Sequence, residues 1–158
     1  MNEAIGQNKD LHNDEDDEVI GKLFKYIFDP CNLENLPKEY HKKVASKLFE
    51  IGEGSVVADN LEKFRGLDHK EIASKLIEVG EDITTIWRLE KFQGLDKEIA
   101  LQLIEAGSGY DVVKNLEKFQ GLELNQEIAS KLIEAGAGNV VADNLEKFQG
   151  LEPNQEIV

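Results

Sequence analysis

The stretch EIASKLIEAGAGNVVADNLEKFQGL, from Glu127 to Leu151, decides the fold, because variants of it fill almost all of the chain from residue 44 onward. Aligned on their shared ends, the four copies run from Val44 to Leu67, Ile72 to Leu95, Ile99 to Leu122 and Ile128 to Leu151, and are called repeats 1 to 4. Each copy has the same number of residues, so every difference in length falls in the joints between copies. Insertions confined to joints are typical of surface loops between packed units.

Each repeat contains two helical patterns, and the first is clearest in repeat 2. Its apolar residues recur at helical spacing and are Ile72, Ala73, Leu76, Ile77 and Val79. Asp68 and Glu71 stand three positions apart just before this run, which is the pattern of a capping box at a helix start. Gly80 follows the run and predicts the end of the helix, because glycine readily adopts the left-handed conformation found there.

The second pattern in each repeat ends in a phenylalanine two residues before a glycine. These residues are Phe64, Phe92, Phe119 and Phe148, and we expect them to pack between layers. Each helix has only about ten residues, fewer than the roughly 12 to 15 at which isolated helices become marginally stable, so stacking of repeats has to supply the core. The sequence therefore predicts an all-α protein, a right-handed α-solenoid of four helix-turn-helix repeats with an N-terminal capping helix.

The predicted organisation has three parts. Residues 1–17 are polar and acidic, and we expect a disordered acidic tail. Residues 18–36 are predicted to form a capping helix and a connector, because apolar residues recur at helical spacing until Asp29-Pro30. Residues 37–158 contain the four tandem two-helix repeats and, in LEPNQEIV, the start of a fifth. No polar-faced helix follows repeat 4 in the sequence to cover it, so we expect either a longer array or end-to-end self-association through the uncapped last repeat.

Composition argues against several classes of protein. The formal charge of −14 at pH 7 has the wrong sign for attraction to phosphates, so nucleic acids and anionic membranes are not expected partners. No apolar run approaches the roughly 20 residues of a membrane-spanning helix, and no signal-peptide pattern opens the chain. Cys31 is the single cysteine, which fits a reducing compartment, and we expect a cytoplasmic protein.

The residue patterns of catalysis and of metal binding are missing from the sequence. His12, His41 and His69 lack the spacing of metal ligands and do not accompany a nucleophile. The glycines follow helical runs instead of forming a phosphate-binding loop. We therefore expect a protein that is not an enzyme and that uses no cofactor.

The layout of two short helices per unit is similar in kind to tetratricopeptide, HEAT and armadillo repeats, over roughly residues 37–158. Those units have about 34 or about 40 to 47 residues, whereas Gly66, Gly94, Gly121 and Gly150 lie 28, 27 and 29 residues apart. The layout also resembles the DNA-reading repeats of transcription-activator-like effectors, in which a short helix, a variable glycine-containing loop and a second helix recur. Unit length, second-helix length and charge differ from that family, so no base-reading residue is carried over.

Positions that change between copies are the candidates for partner contacts, because positions needed for stacking should repeat. The candidate contact residues are Trp87, Arg88, Tyr110, Asp59, Lys114 and Asp143. Trp87 is the only tryptophan in the chain and occupies a position that is charged in the other three copies. Tryptophan and arginine are enriched at the energetic centres of interfaces. The sequence therefore predicts a contact patch around Trp87.

Two questions stay open at the level of sequence. Trp87 either lies partly in water, as the charged residues at the equivalent positions indicate, or fills a gap in the core together with Ile86. The recurring Asn60, Asn115 and Asn144 either contact the backbone of a bound peptide or satisfy loop carbonyls of the adjacent repeat.

The function expected from these patterns is that of a non-catalytic scaffold or adaptor that binds another protein. One alternative is an acidic inhibitor that mimics nucleic acid on a DNA- or RNA-handling enzyme, with carboxylates at phosphate-like spacing. The other is a nucleic-acid binder that reads one base per repeat, which requires a positive inner face.

Overall fold

The computed structural model describes residues 21–22 and 30–151, and this part of the chain is helical without any strand. The all-α prediction is confirmed. The α-helices are α1 (Lys38–Glu50), α2 (Gly54–Asp59), α3 (His69–Glu78), α4 (Asp82–Trp87), α5 (Lys97–Glu105), α6 (Gly109–Lys114), α7 (Gln126–Glu134) and α8 (Gly138–Asp143). Short 3-10 helices span Pro30–Asn35, Leu61–Lys63, Leu89–Lys91, Leu116–Lys118 and Leu145–Lys147.

Several predicted segments lie wholly or mostly outside the described residues. The acidic tail, residues 1–17, and the start of a fifth copy, residues 152–158, are among them. Of the predicted capping helix only residues 21 and 22 are described, and both are helical. The predicted connector, residues 29–36, contains the 3-10 helix Pro30–Asn35.

The chain divides into two compact units, Met1–Gly66 and Leu67–Val158. In the first unit, α1 packs against α2, and the 3-10 helix Pro30–Asn35 packs against the 3-10 helix Leu61–Lys63. Pro37 precedes α1 directly, where its missing backbone N–H costs nothing. The apolar side chains of Leu33 and Leu48 are fully buried and form part of this core.

In the second unit the helices pair within each repeat and stack between repeats. The pairs are α3 with α4, α5 with α6, and α7 with α8. Between repeats, α5 packs against both α3 and α7, and α6 packs against α8. The apolar side chains of Leu76, Leu103 and Leu132 are fully buried in this stack. Burial of such side chains stabilises each helix by roughly 1.5–3 kcal/mol per residue, which short helices need because their own propensity is insufficient.

The predicted phenylalanine anchors and helix starts are confirmed. Phe64, Phe92, Phe119 and Phe148 are all buried, with no more than 7% of any residue exposed. Asp68 caps α3, since its Oδ1 accepts hydrogen bonds from the backbone N–H groups of Lys70 and Glu71 at 2.9 and 3.3 Å. Gly80 follows this helix with φ +82°, a conformation that suits glycine.

The second helix of each repeat is shorter than the pattern predicts, and the residue that follows it is an asparagine in three of the four copies and Arg88 in repeat 2. It continues as a 3-10 turn after the backbone opens to φ near −120° at Asn60, Asn115 and Asn144. The side-chain Nδ2 of each asparagine donates to the carbonyl four residues earlier, at 2.9, 2.7 and 2.8 Å. One Nδ2 N–H of each asparagine thus bonds a carbonyl of its own helix, a contact that neither sequence interpretation predicts.

The residue after each phenylalanine ties the end of a repeat back to its start. In repeats 1 and 2 the backbone N–H groups of Arg65 and Gln93 donate to Nδ1 of His41 and His69, both at 2.9 Å. In repeats 3 and 4 the equivalent N–H groups, of Gln120 and Gln149, donate to the backbone carbonyls of Leu95 and Leu124, both at 2.8 Å. A histidine ring thus replaces a backbone carbonyl as acceptor in the first two repeats.

Polar contacts join successive repeats of the second unit at the joints. Lys70 Nζ lies 2.5 Å from Asp96 Oδ2, and Lys97 Nζ lies 2.6 Å from Glu127 Oε2. The hydrogen bond from Lys70 holds the pKa of Asp96 below its ordinary value, and backbone N–H groups at the start of α5 act in the same direction. Since these side chains are partly exposed, water screens each such ion pair and its contribution to stability is small.

Candidate partner-binding surface

Trp87 is the last residue of α4 and lies largely in water. Trp87 is 75% exposed, the highest exposed fraction among the large apolar residues of the described chain. This excludes the interpretation in which Trp87 fills a gap in the core. Tryptophan is a large apolar residue, so most of the surface that it could bury against a partner is available.

Ile83 lies one helical turn before Trp87 on α4 and is 55% exposed. Residues four apart on a helix share one face, so the two side chains form a single apolar surface. Val79, the residue that directly follows α3, is also exposed. Repeat 2 therefore presents more exposed apolar surface at its second helix than a single scattered side chain would give.

Tyr110 and Lys114 occupy on α6 the positions that Ile83 and Trp87 occupy on α4. Tyr110 is 52% exposed, and the Lys114 Nζ lies 4.6 Å from the centroid of its ring. This geometry is a cation–π contact, in which the negative face of the ring attracts the ammonium group. The contact holds a positive charge at a defined place on the surface of repeat 3.

In repeat 4 the equivalent residues on α8 are Asn139 and Asp143, and both are exposed. The three pairs are called strip 2 (Ile83 and Trp87), strip 3 (Tyr110 and Lys114) and strip 4 (Asn139 and Asp143), and together they form the outer row. The strips are apolar, cationic with an aromatic ring, and acidic, in that order. Each strip occupies the same two positions of its repeat.

Two contacts hold the helices of the outer row together. The Ser108 hydroxyl, at the start of α6, donates a hydrogen bond of 2.7 Å to Asp82 Oδ2, at the start of α4. Ser108 is buried, so this bond is shielded from water. On the other side, α6 packs directly against α8. The three strips therefore belong to neighbouring helices of one stack.

The two remaining predicted contact residues are not members of the outer row. Arg88 is half-buried beyond the end of α4, where its backbone N–H donates to the carbonyls of Thr84 and Thr85 at 3.2 Å. Asp59 lies in the first unit, half-buried at the end of α2. The structure thus brings Tyr110 and Lys114 into direct contact and does not give Arg88 the exposure of its neighbour.

The sequence patterns do not identify Ile83 and Asn139 as surface residues of helices, because both lie between the two apolar patterns of their repeat. In the structure α4 begins at Asp82 and α8 begins at Gly138, so the last loop position is already helical. The signal that could have identified them is the spacing of four residues to Trp87 and Asp143, since equally spaced variable positions indicate a shared helix face.

Three further observations on the described residues concern metal binding, membrane spans and cavities. Among them no three histidine, cysteine, aspartate or glutamate side chains group closely enough to hold a metal ion. None of the helices within residues 30–151 combines the length and apolarity that a bilayer crossing requires. A shallow cavity of about 240 Å³ between α5 and α7 is lined by Glu105, Lys131, Glu134 and Ala135, and it has a charged lining instead of the apolar wall typical of small-molecule sites.

Comparison of the chain with protein-family models, with curated proteins and with solved structures gave no match.

Proposed function

We propose that the protein is a non-catalytic α-solenoid scaffold that binds another protein through the outer row. The exposure of Trp87 carries this proposal. A protein gains solubility by keeping large apolar side chains in its core, and an exposed tryptophan beside an exposed isoleucine offers a partner the kind of anchor that dominates binding energy.

The stacking within the second unit supports the solenoid. Its three repeats use equivalent helices in equivalent contacts, α3 with α5 and α5 with α7. Such stacking makes each repeat a platform that presents its own variable residues while its buried residues stay alike. The right-handed solenoid of four repeats extends this arrangement to the whole repeat region as part of the proposal.

The proposed partner is a protein and not a nucleic acid. Strip 2 is uncharged, strip 4 is acidic, and Lys114 is the single basic residue among the six residues of the outer row. Phosphate groups would meet one cation and an acidic neighbour, which gives little of the electrostatic attraction on which nucleic-acid affinity depends. Apolar anchors, in contrast, are typical of protein interfaces.

The experiment that tests this function is affinity capture with the immobilised chain and extract from the cells that produce it. We expect the wild type to retain specific proteins and the Trp87→Asp variant to lose most of them, because a side chain that the partner buries would be replaced by a charge. Ile51→Asp is the matched control, since Ile51 is also an exposed apolar residue but lies outside the outer row. Equal recovery with all three chains would contradict the proposal.

A further inference from the structure

The six residues of the outer row differ in chemistry in a fixed order, and this order carries an inference about the partner. The positions are equivalent in the three repeats, and all six residues are exposed. Strip 2 can bury an apolar side chain, strip 3 holds the Lys114 ammonium over a ring, and strip 4 presents the Asp143 carboxylate. A partner that matches all three strips needs an apolar group, a negative group and a positive group in line.

The spacing of the strips follows from helix packing. Successive repeats of the second unit stack through direct packing of α3 with α5 and of α5 with α7, and helices in contact lie about 8–10 Å apart. Matching groups on the partner therefore have to lie about 10 Å apart. Along an α-helix seven residues span about 10.5 Å and complete almost two turns, so residues at i, i+7 and i+14 lie on one face.

The side-chain amides that follow the helices of the outer row favour a helical partner over an extended one. An extended peptide gains affinity when the receptor bonds its free backbone groups. In repeats 3 and 4 the side-chain amides of Asn115 and Asn144 already use one Nδ2 N–H to bond the carbonyls of Asp111 and Val140. A helix satisfies its own backbone groups and needs only side-chain contacts.

We propose that the outer row binds an amphipathic helix of a partner protein, with a bulky apolar residue on strip 2, a carboxylate on strip 3 and a basic residue on strip 4, spaced by seven residues. This inference rests on the proposed protein-binding function and adds the chemistry of the partner. The direction in which the helix lies is set by its two ends, because turning it around would place its basic residue on strip 2 and its apolar residue beside the Asp143 carboxylate.

The probe for this inference is a blocked helical peptide rich in alanine and glutamine, with phenylalanine, glutamate and lysine seven residues apart. The control peptide exchanges the glutamate and the lysine, so its length and composition are unchanged. Both are made in the two chain directions, because the order along the row does not fix the polarity of the helix. Binding is measured by fluorescence anisotropy of the labelled peptides at low salt.

We expect the matched peptide, in one chain direction, to bind at least about fivefold more tightly than its control, as two surface charge pairs change from attraction to repulsion. In the double variant Lys114→Glu, Asp143→Lys the preference should invert. It should also shrink as salt is raised, since exposed charges are screened. Trp87→Ala should weaken both peptides alike, because it removes the anchor and leaves the charges.

Equal affinity for the two peptides, no measurable binding of either, or a preference that the double variant leaves unchanged would each overturn this inference. None of these results removes the proposed protein-binding function, which is decided by comparing recovery with the Trp87→Asp and Ile51→Asp chains. Loss of that difference would remove both proposals together.

Discussion

Thr85 is the buried residue of repeat 2 that departs most clearly from its equivalents. It is fully buried, and its Oγ1 has no hydrogen-bond partner. The other repeats have valine at this position, namely Val57, Val112 and Val141. A buried hydroxyl without a partner costs roughly 1–3 kcal/mol relative to an apolar group of the same shape.

We predict that Thr85→Val raises the free energy of unfolding by about 1 kcal/mol, because valine fills the same space without the hydroxyl. The measurement is urea unfolding followed by circular dichroism. Val112→Thr is the matched reverse change in repeat 3 and should lower stability by a similar amount. An unchanged or lower midpoint for Thr85→Val would contradict the assignment of an unsatisfied hydroxyl.

His69 provides a prediction about pH. Burial lowers the pKa of its ring below the ordinary value of 6.5, and the charge of Asp68 acts in the opposite direction. Its Nδ1 also accepts the backbone N–H of Gln93, a bond that is lost when that nitrogen is protonated. Because the pKa is lower in the folded state, this group's contribution to stability is complete above pH 6.5 and decreases as the pH falls below it.

We therefore expect the His69 ring to titrate with a midpoint below 6.5 in a proton NMR titration. Asp68→Asn should lower the midpoint further, since it removes the negative charge while asparagine still caps α3. A midpoint at or above 6.5 in the wild type would show that burial does not dominate the environment of this histidine.

At the scale of single residues, the sequence identified Trp87 as a surface anomaly but could not decide between surface and core. Its charged equivalents favoured the surface, and the exposure of Trp87 agrees with them. No comparable signal in the sequence distinguishes Arg88, whose half-burial depends on how α4 ends. Whether a side chain at a helix end lies in water depends on local backbone geometry that composition does not encode.

At the scale of elements, the glycines that begin second helices differ in the space around them. A Cβ added to Gly109 would lie 2.6 Å from Leu132 Cδ2, a buried atom of the next repeat. A Cβ added to Gly138 would have no neighbour closer than Ile133 Cγ1 at 3.8 Å, which is an ordinary contact. The close approach of α6 to Leu132 on α7 therefore requires glycine at position 109, whereas position 138 has room for a larger residue.

We predict opposite effects for the same substitution at the two positions. Gly109→Ala should lower the free energy of unfolding by about 1–2 kcal/mol, because the added methyl group overpacks the contact with Leu132. Gly138→Ala should raise it by roughly 0.4–1 kcal/mol, because alanine reduces the freedom of the unfolded chain without a clash. Thermal unfolding followed by circular dichroism measures both. Equal shifts in the two variants would contradict the difference in packing.

The sequence predicted the existence of two helices per repeat but not the form of the second. The apolar pattern leading to Phe64 is continuous, so it indicates one helix. The asparagine at position 60 is compatible with that pattern, yet its side chain bonds the Val56 carbonyl and the backbone leaves the α conformation there. Arg88 leaves the α conformation at the same position of repeat 2 without an asparagine, so the break is common to all four repeats, and periodicity does not report it.

At the scale of the whole molecule, internal repetition predicted the helical class and the pairing of helices, because one unit cannot bury its own apolar face. The same comparison of equivalent residues exposes a difference at repeat 4. Ile104 and Val113 of repeat 3 are buried, whereas their equivalents Ile133 and Ala142 are exposed, and Leu145 is 47% exposed. Within the described chain, repeat 4 thus exposes apolar positions whose equivalents in repeat 3 are buried.

We predict that this face of repeat 4 binds a second copy of the chain at high concentration, since its residues are equivalent to those on the helices α5 and α6, which pack against α7 and α8. Sedimentation equilibrium over a range of about 10 μM to 1 mM, concentrations that span weak association, should reveal a reversible increase in mass. Leu145→Glu should abolish it by placing a charge in the apolar contact, whereas Ile51→Glu in the first unit should not. A chain that stays monomeric throughout, or a Leu145→Glu variant that associates as the wild type does, would show that the exposed face does not drive self-association.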